Sequence, residues 1–256
     1  MIDIHSHILP GVDDGAQNER ESIELARVAV NEGISTIIAT PHHKNGLYHN
    51  ERDFIIGQVE QLNNLFEELG IHLQVLPGQE PRINGDFLTD LKEGKLLTLN
   101  NTRYIFIELP YSSVPQYTDK LLFDIQVEGY TPIIVHPERN QQLREDPTSL
   151  YEFVRNGSLT QVTSGSLIGK FGKETAQFAE EIIDANLAHF LATDVHHVTK
   201  RGFHLRESYD KLGKLFGSNL KYTFMENTHL LLDNRPVNRY EPMRINRKRK
   251  KFFGLF

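Results

Sequence analysis

Met1–Gly15, MIDIHSHILPGVDDG, is the stretch from which the fold is read. Ile2 to Ile4 make a short apolar strand that delivers His5 and His7, two residues apart, before a Gly/Asp loop carrying Asp13 and Asp14. Residues i and i+2 of a strand share a face, so both imidazoles can point the same way and meet one metal ion. A histidine on an apolar strand is more often core than ligand, and the pair by itself decides little. What decides is repetition, because an apolar strand followed at once by His, Asp or Glu recurs down the chain.

STIIAT runs into His42 and His43, HLQVLP into Glu80, and YIFI into Glu108. TPIIV runs into His136, LTQVT into the turn Thr163 to Ser166, and AHFLAT into Asp194 and His196. Between these strands the spacing of apolar residues predicts helices over about 17–32, 51–69, 86–94, 115–128, 148–156, 173–185 and 204–216. The second is the clearest, with Ile55, Val59, Leu62, Phe66 and Leu69 in one stripe and Gly70 to end it. KYTFMEN completes the body.

Strands alternating with helices imply right-handed βαβ units and a parallel sheet. Seven of them point to an α/β fold of the TIM-like barrel kind, (β/α)7, with a doubly wound sheet as the alternative. In such a barrel the active site gathers at the C-terminal strand ends, where the His, Asp and Glu residues fall.

The 256 residues suffice to bury a core without a staple. There is no cysteine, which excludes disulfides, thiolate metal sites and every cysteine nucleophile. With neither a leader-like start nor a long apolar run, the chain is expected to be cytoplasmic. The net charge is −6, yet RINRKRKK at 244–251 holds six Lys/Arg, leaving −12 for the rest. A body that acidic is a poor nucleic-acid binder, since phosphate backbones are held largely by Lys and Arg.

With Asp14 added, nine side chains form the candidate ligand set: His5, His7, Asp14, His42, Glu80, Glu108, His136, Asp194 and His196. Any one of them has an ordinary structural explanation, such as a helix cap or a surface acid. Burying all at one barrel mouth costs too much unless cations pair with them. Nine ligands suit two or three ions, and imidazole mixed with carboxylate fits Mn, Fe or Zn, with the carboxylate share leaning to Mn. Three divalent ions outweigh four carboxylates, so the centre favours an anionic substrate such as a phosphate ester.

Arg139, in HPERN, is placed to grip a phosphate bidentately, against the alternative of an ordinary salt bridge. Arg201, His43 and Ser164 are further candidate substrate contacts. The remaining histidines are expected to be structural or at the surface.

The ordered series IDIHSH, VDDG, TPHH, PGQE, FIELP, VHPER and TDVHH resembles the polymerase and histidinol phosphatase superfamily. Within it, the series is similar to the manganese-dependent protein tyrosine phosphatases of bacterial capsule and exopolysaccharide clusters. The resemblance runs from His5 to about Asn227. It implies a distorted seven-stranded barrel with a trinuclear centre. His5, His7, Glu80 and Asp194 would hold one ion; Glu80 would bridge to a second held by Glu108 and His136; Asp14, His42 and His196 would hold the third. Catalysis would rest on Arg139, His136 and Asp194. Other branches have histidine at the positions of Asp14 and Glu108, so the carboxylates favour the tyrosine phosphatase branch. Val195 departs from the pattern, which has a small alanine there.

The resemblance implies phosphotyrosine on a membrane-associated tyrosine kinase as substrate. A small-molecule phosphatase of the histidinol-phosphate type and a non-catalytic metal-containing module are the competing readings. Residues 1–240 are expected to form the phosphatase domain and 241–256 a flexible tail. Its RKRKKFFGLF joins five cations to three phenylalanines and a leucine. That composition leaves open a solvated end, contact with an anionic membrane surface at the inner face, or docking on a kinase or sister subunit.

Overall fold

The computed structural model describes residues 1–246. Nine strands are β1 (Ile2–Ser6), β2 (Thr36–Ala39), β3 (His42–His43), β4 (Gln74–Pro77), β5 (Glu80–Pro81), β6 (Tyr104–Ile107), β7 (Thr131–Val135), β8 (Leu159–Thr163) and β9 (Phe190–Ala192). Helices α1 (Glu19–Asn31), α2 (Arg52–Glu68), α3 (Phe87–Lys92) and α4 (Thr118–Val127) cover the first half. In the second half lie α5 (Gln141–Glu145), α6 (Thr148–Arg155), α7 (Ser164–Leu167), α8 (Lys173–Asp184), α9 (Leu205–Phe216) and α10 (Ser218–Leu232).

Among the described residues every ladder between these strands is parallel, in the orders β1-β2-β4, β3-β5 and β6-β7-β8-β9. The seven expected strands are all present, two of them broken in the middle. β2 and β3 are separated at Pro41, which lacks the N–H a ladder needs. β4 and β5 are separated at Gly78, where a Cβ would come within 2.6 Å of Ile38.

The expected closed barrel is not formed as one continuous ladder. Single parallel bridges, Ser6 with Val195 and Arg82 with Glu108, link the sheets instead. The first is held by Asp194 N–H to the His5 carbonyl and His7 N–H to the Val195 carbonyl, each 2.9 Å.

Two apolar clusters follow from the period-two alternation of the strands. On β6, Tyr104 and Phe106 join the smaller cluster with Ile133, Val135, Phe190 and Ala192, and Glu108 follows on the same face. Ile105 and Ile107 face the larger cluster under the helices. Asp194 likewise follows Phe190 and Ala192. The ligand candidates thus continue the face that packs the inner core. KYTFMEN is helical, within α10, whose Leu231 seals that core. Val195 packs in the larger cluster and does not crowd the site.

His189 is an interior histidine outside the site: its Nδ1 accepts from the Thr160 amide at 3.2 Å. Burial, aided by Arg239, pushes its pKa down to about 3. The folded state therefore binds no proton there while the unfolded chain titrates near 6.5, so this contribution is complete above that value and is lost as pH falls toward about 3. Below about pH 6.5 the wild type should lose up to about 1.4 kcal/mol per pH unit through this group. His189→Gln, which keeps an acceptor for Thr160, should flatten the fall in melting temperature between pH 7 and 5, and an unchanged slope would refute this.

The start of the expected tail is held on the body. Met243 N–H meets the Ala185 carbonyl at 2.8 Å, and Arg244 pairs with Glu152 at 2.6 Å over the Tyr151 ring. The rest of the basic and aromatic tail, with its expected membrane contact, lies outside the described residues. Among the described residues no helix is long and apolar enough to cross a membrane.

Candidate metal centre

Strand ends from all parts of the chain converge on Glu80. Its Oε2 lies 3.4 Å from His5 Nε2, 3.3 Å from His7 Nε2 and 2.9 Å from His42 Nδ1. Its Oε1 lies 2.8 Å from His136 Nε2. Asp194 Oδ1 is 3.5 Å from His5 and 3.3 Å from His7. Asp14 Oδ1 stands 3.4 Å from both His42 Nε2 and His196 Nε2, and Glu108 Oε2 is 3.6 Å from His42 Nδ1. All nine expected residues are therefore neighbours.

Three overlapping groups can each offer ligand atoms within 4.8 Å of one another: His7, Asp14, His42 and His196; His5, His7 and Glu80; His42, Glu80 and Glu108. Glu80, His7 and His42 are shared between groups. The pairing of His42 with Glu108 differs from the grouping implied by resemblance, which put Glu108 with His136.

The donor set fits divalent cations on a direct observation. His42 Nδ1, Glu80 Oε2, Asp194 Oδ1 and His196 Nε2 are buried and crowd against other members of the set, yet none of these contacts has the geometry of a hydrogen bond. Each unpartnered buried polar atom costs about 1–3 kcal/mol, so four such atoms in one cluster are unexplained unless cations meet them. Backbone strain falls in the same place: His136 (φ 36°) and Asp194 (φ 52°) both sit in the left-handed region.

Supporting residues orient the imidazoles. Asp13 Oδ2 lies 2.6 Å from His7 Nδ1 and also accepts from the His42 amide, while Gln161 Oε1 lies 2.9 Å from His5 Nδ1. A carboxylate or amide on the far ring nitrogen turns Nε2 toward the metal. Gly15 permits this packing, because a Cβ there would sit 2.1 Å from the His7 carbonyl oxygen. Asp13 shares the VDDG loop with Asp14, whereas Gln161, on β8 between β7 and β9, is identifiable only once the fold brings it to His5 across the interior. Buried Glu138 binds the Thr163 amide and the Ser166 hydroxyl, fixing the end of β8.

Electrostatics bear the mark of the crowding. Burial opposes charge on Glu80, but His42 and His5 hold its carboxyl well below the usual range. Burial likewise opposes charge on Asp194, which Arg201 and Arg139 reverse. Burial, then the charge of Glu80, raises Glu108 against the pull of Arg82. Burial and Arg139 push His136 down to about 3, and burial with His7 pushes His196 to about 4, whereas against burial Asp13 raises His7 and Glu80 raises His42.

The expected substrate contacts divide. Arg139 and Arg201 both reach Asp194 Oδ2, at 2.6 and 2.7 Å, and remain 18% and 27% exposed. His43 and Ser164 do not reach the centre. Neighbouring strand residues point apart, so His43 turns away from His42 and lies against His49, ring centroids 4.7 Å apart. Ser164 opens α7 rather than a loop, fully buried, with its hydroxyl donating to the Phe203 carbonyl.

A family model for capsular polysaccharide synthesis proteins, CpsB/CapC, matches residues 1–233. The chain belongs to this family. It is 50% identical over 256 residues to the tyrosine-protein phosphatase YwqE of Bacillus subtilis, covering all of both chains. It is 31% identical over 244 residues to the tyrosine-protein phosphatase CpsB of Streptococcus agalactiae, covering 91% of this chain and 99% of that one. A crystal structure from work on YwqE and on CpsB of Streptococcus pneumoniae, described as unique metal-dependent tyrosine phosphatases, superposes with a TM-score of 0.95 at 50% identity. The match covers 96% of this chain and 100% of that one.

Proposed function

We propose that this chain is a metal-dependent protein-tyrosine phosphatase acting on phosphotyrosine of a bacterial tyrosine kinase in capsule or exopolysaccharide synthesis. The observation that carries the reading is the set of orphaned buried donors beside two partly exposed arginines. One part is built to hold cations and the other to hold an anion. The reading includes three divalent ions, manganese first, in a distorted seven-stranded barrel formed by residues 1–240, with the chain working at the cytoplasmic face of the membrane.

His5, His7, Asp14, His42, Glu80, Glu108, His136, Asp194 and His196 would hold the ions. When bound, these supply Lewis acidity and lower the pKa of water to about 7. The chain's own part is placement and charge. Asp194 presents Oδ1 to the imidazoles and Oδ2 to the arginines, so one carboxylate ties the metal side to the phosphate side. Arg139 and Arg201 are positioned to stabilise the equatorial phosphoryl oxygens as charge redistributes. No side chain serves as nucleophile and no phosphoenzyme forms. A phenolate leaves readily, so tyrosine phosphate needs little proton donation.

The test compares chelation with alkylation on one preparation. Hydrolysis of a phosphotyrosyl peptide should vanish with EDTA, return with Mn2+ and survive iodoacetamide, since the chain has no cysteine. Activity that persists after full metal removal would end the proposal. Faster turnover of histidinol phosphate than of the peptide would favour the small-molecule reading, and full metal with no turnover the non-catalytic one.

A further inference from the structure

The metal and arginine groups can hold the phosphate of any ester, so a preference for an aryl phosphate has to come from side chains beyond them. Besides the imidazoles, Phe106 and Tyr48 place aromatic rings beside the candidate ligands His5 and His42, and Phe171 places one beneath Arg139. Phe106 is fully buried beneath His5 and forms part of the floor. Tyr48 and Phe171 are partly exposed. The Tyr48 ring lies parallel to His42, 9° between planes and 6.1 Å between centroids. The Arg139 guanidinium lies over the Phe171 ring, 5.4 Å from its centroid.

Both rings are held in place by local structure. Asn45 Oδ1 accepts from the Leu47 and Tyr48 amides, and an antiparallel bridge from His43 to His49 folds that turn back on itself. Phe171 fits because Gly165 faces it: a Cβ there would lie 3.0 Å from Phe171 Cε2. One ring thus stands on the His42 side of the cluster and the other on the Arg139 side.

We infer that Tyr48, beside His42, and Phe171, beside Arg139, are the side chains that contact the phenyl ring of the phosphotyrosine and thereby determine the preference for aryl phosphates. The inference rests on the phosphatase reading above. Offset or edge-on packing of the substrate ring against these side chains adds affinity that a phosphate alone does not draw on.

Calorimetric binding to the Mn2+-loaded full chain tests it without turnover, with phenylphosphonate and inorganic phosphate as probes. Wild type should bind phenylphosphonate more tightly. Phe171→Ala and Tyr48→Ala should each weaken phenylphosphonate about three- to tenfold while phosphate stays within about twofold. Phe171→Tyr should restore it. Tyr48→Leu, which keeps bulk and loses the ring, should behave like Tyr48→Ala, and metal content and melting temperature verify folding. Equal weakening of both probes would place Phe171 behind Arg139 and overturn the inference, as would a wild type that binds the two alike. Wild type that binds both probes but cleaves no phosphotyrosyl peptide would instead count against the phosphatase reading.

Discussion

Replacing Glu80 with glutamine should strip metal from the protein and lower turnover by on the order of a thousandfold, about 4 kcal/mol at ~1.36 kcal/mol per decade. Glu80 belongs to two of the three ligand groups and is the side chain on which His5, His7, His42 and His136 converge. An amide of the same shape keeps the packing but gives up the charge that holds the cations and that offsets protonated imidazoles when metal is absent. The metal deficit should therefore exceed one ion per chain. A second consequence concerns pH. Because the folded-state pKa of Glu80 is depressed, its contribution to the metal-free protein is present above about 4.5 and is lost as pH falls through the folded value. Metal-free Glu80→Gln should accordingly be less stable than wild type at neutral pH, with the gap closing in acid. Elemental analysis beside peptide turnover gives the reading, and a variant with full metal and more than about a tenth of wild-type rate would remove Glu80 from the centre.

That the side chains of this candidate centre could be picked out in the sequence has a physical basis. A side chain at the C-terminal end of an inner-face strand is bound to point into the mouth, so Glu108 after Phe106 and Asp194 after Ala192 could be placed by counting in twos. The same counting shows why His43 turns away from the cluster, since it directly follows His42, a candidate ligand, and faces the other way. What the sequence could not show is set by contacts between distant segments. Gln161 matters only because β8 brings it to His5, 156 residues away in the chain. Ser164 looked like a free hydroxyl in a Gly/Ser turn, yet that turn is the short α7 tucked under Phe203. The breaks at Pro41 and Gly78 interrupt hydrogen bonding without interrupting the direction of the chain, which is why the strand ends were located correctly while a closed barrel was expected.

Arg139→Ala should cost about a hundred- to a thousandfold in kcat/KM on a phosphotyrosyl peptide while leaving the metal content intact. In the proposed role Arg139 meets charge on the phosphoryl oxygens; it lies over Phe171 and 2.6 Å from Asp194, and it is not among the candidate ligands. Arg139→Lys should recover only part of the loss, because an ammonium keeps the charge but not the planar fork. Arg201→Ala should cost less, as Arg201 is the more exposed of the two and lacks the aromatic face that fixes Arg139. The double variant carries the argument furthest. Both guanidinium groups share Asp194 Oδ2, so removing either leaves Asp194 partly compensated, whereas removing both leaves a buried carboxylate whose remaining close neighbours are the His5 and His7 imidazoles and any bound metal. The losses should therefore be more than additive, in rate and in melting temperature of the metal-free protein alike. Strict additivity would mean that the arginines act independently of Asp194, and the proposed coupling of the metal side to the phosphate side through that residue would be wrong.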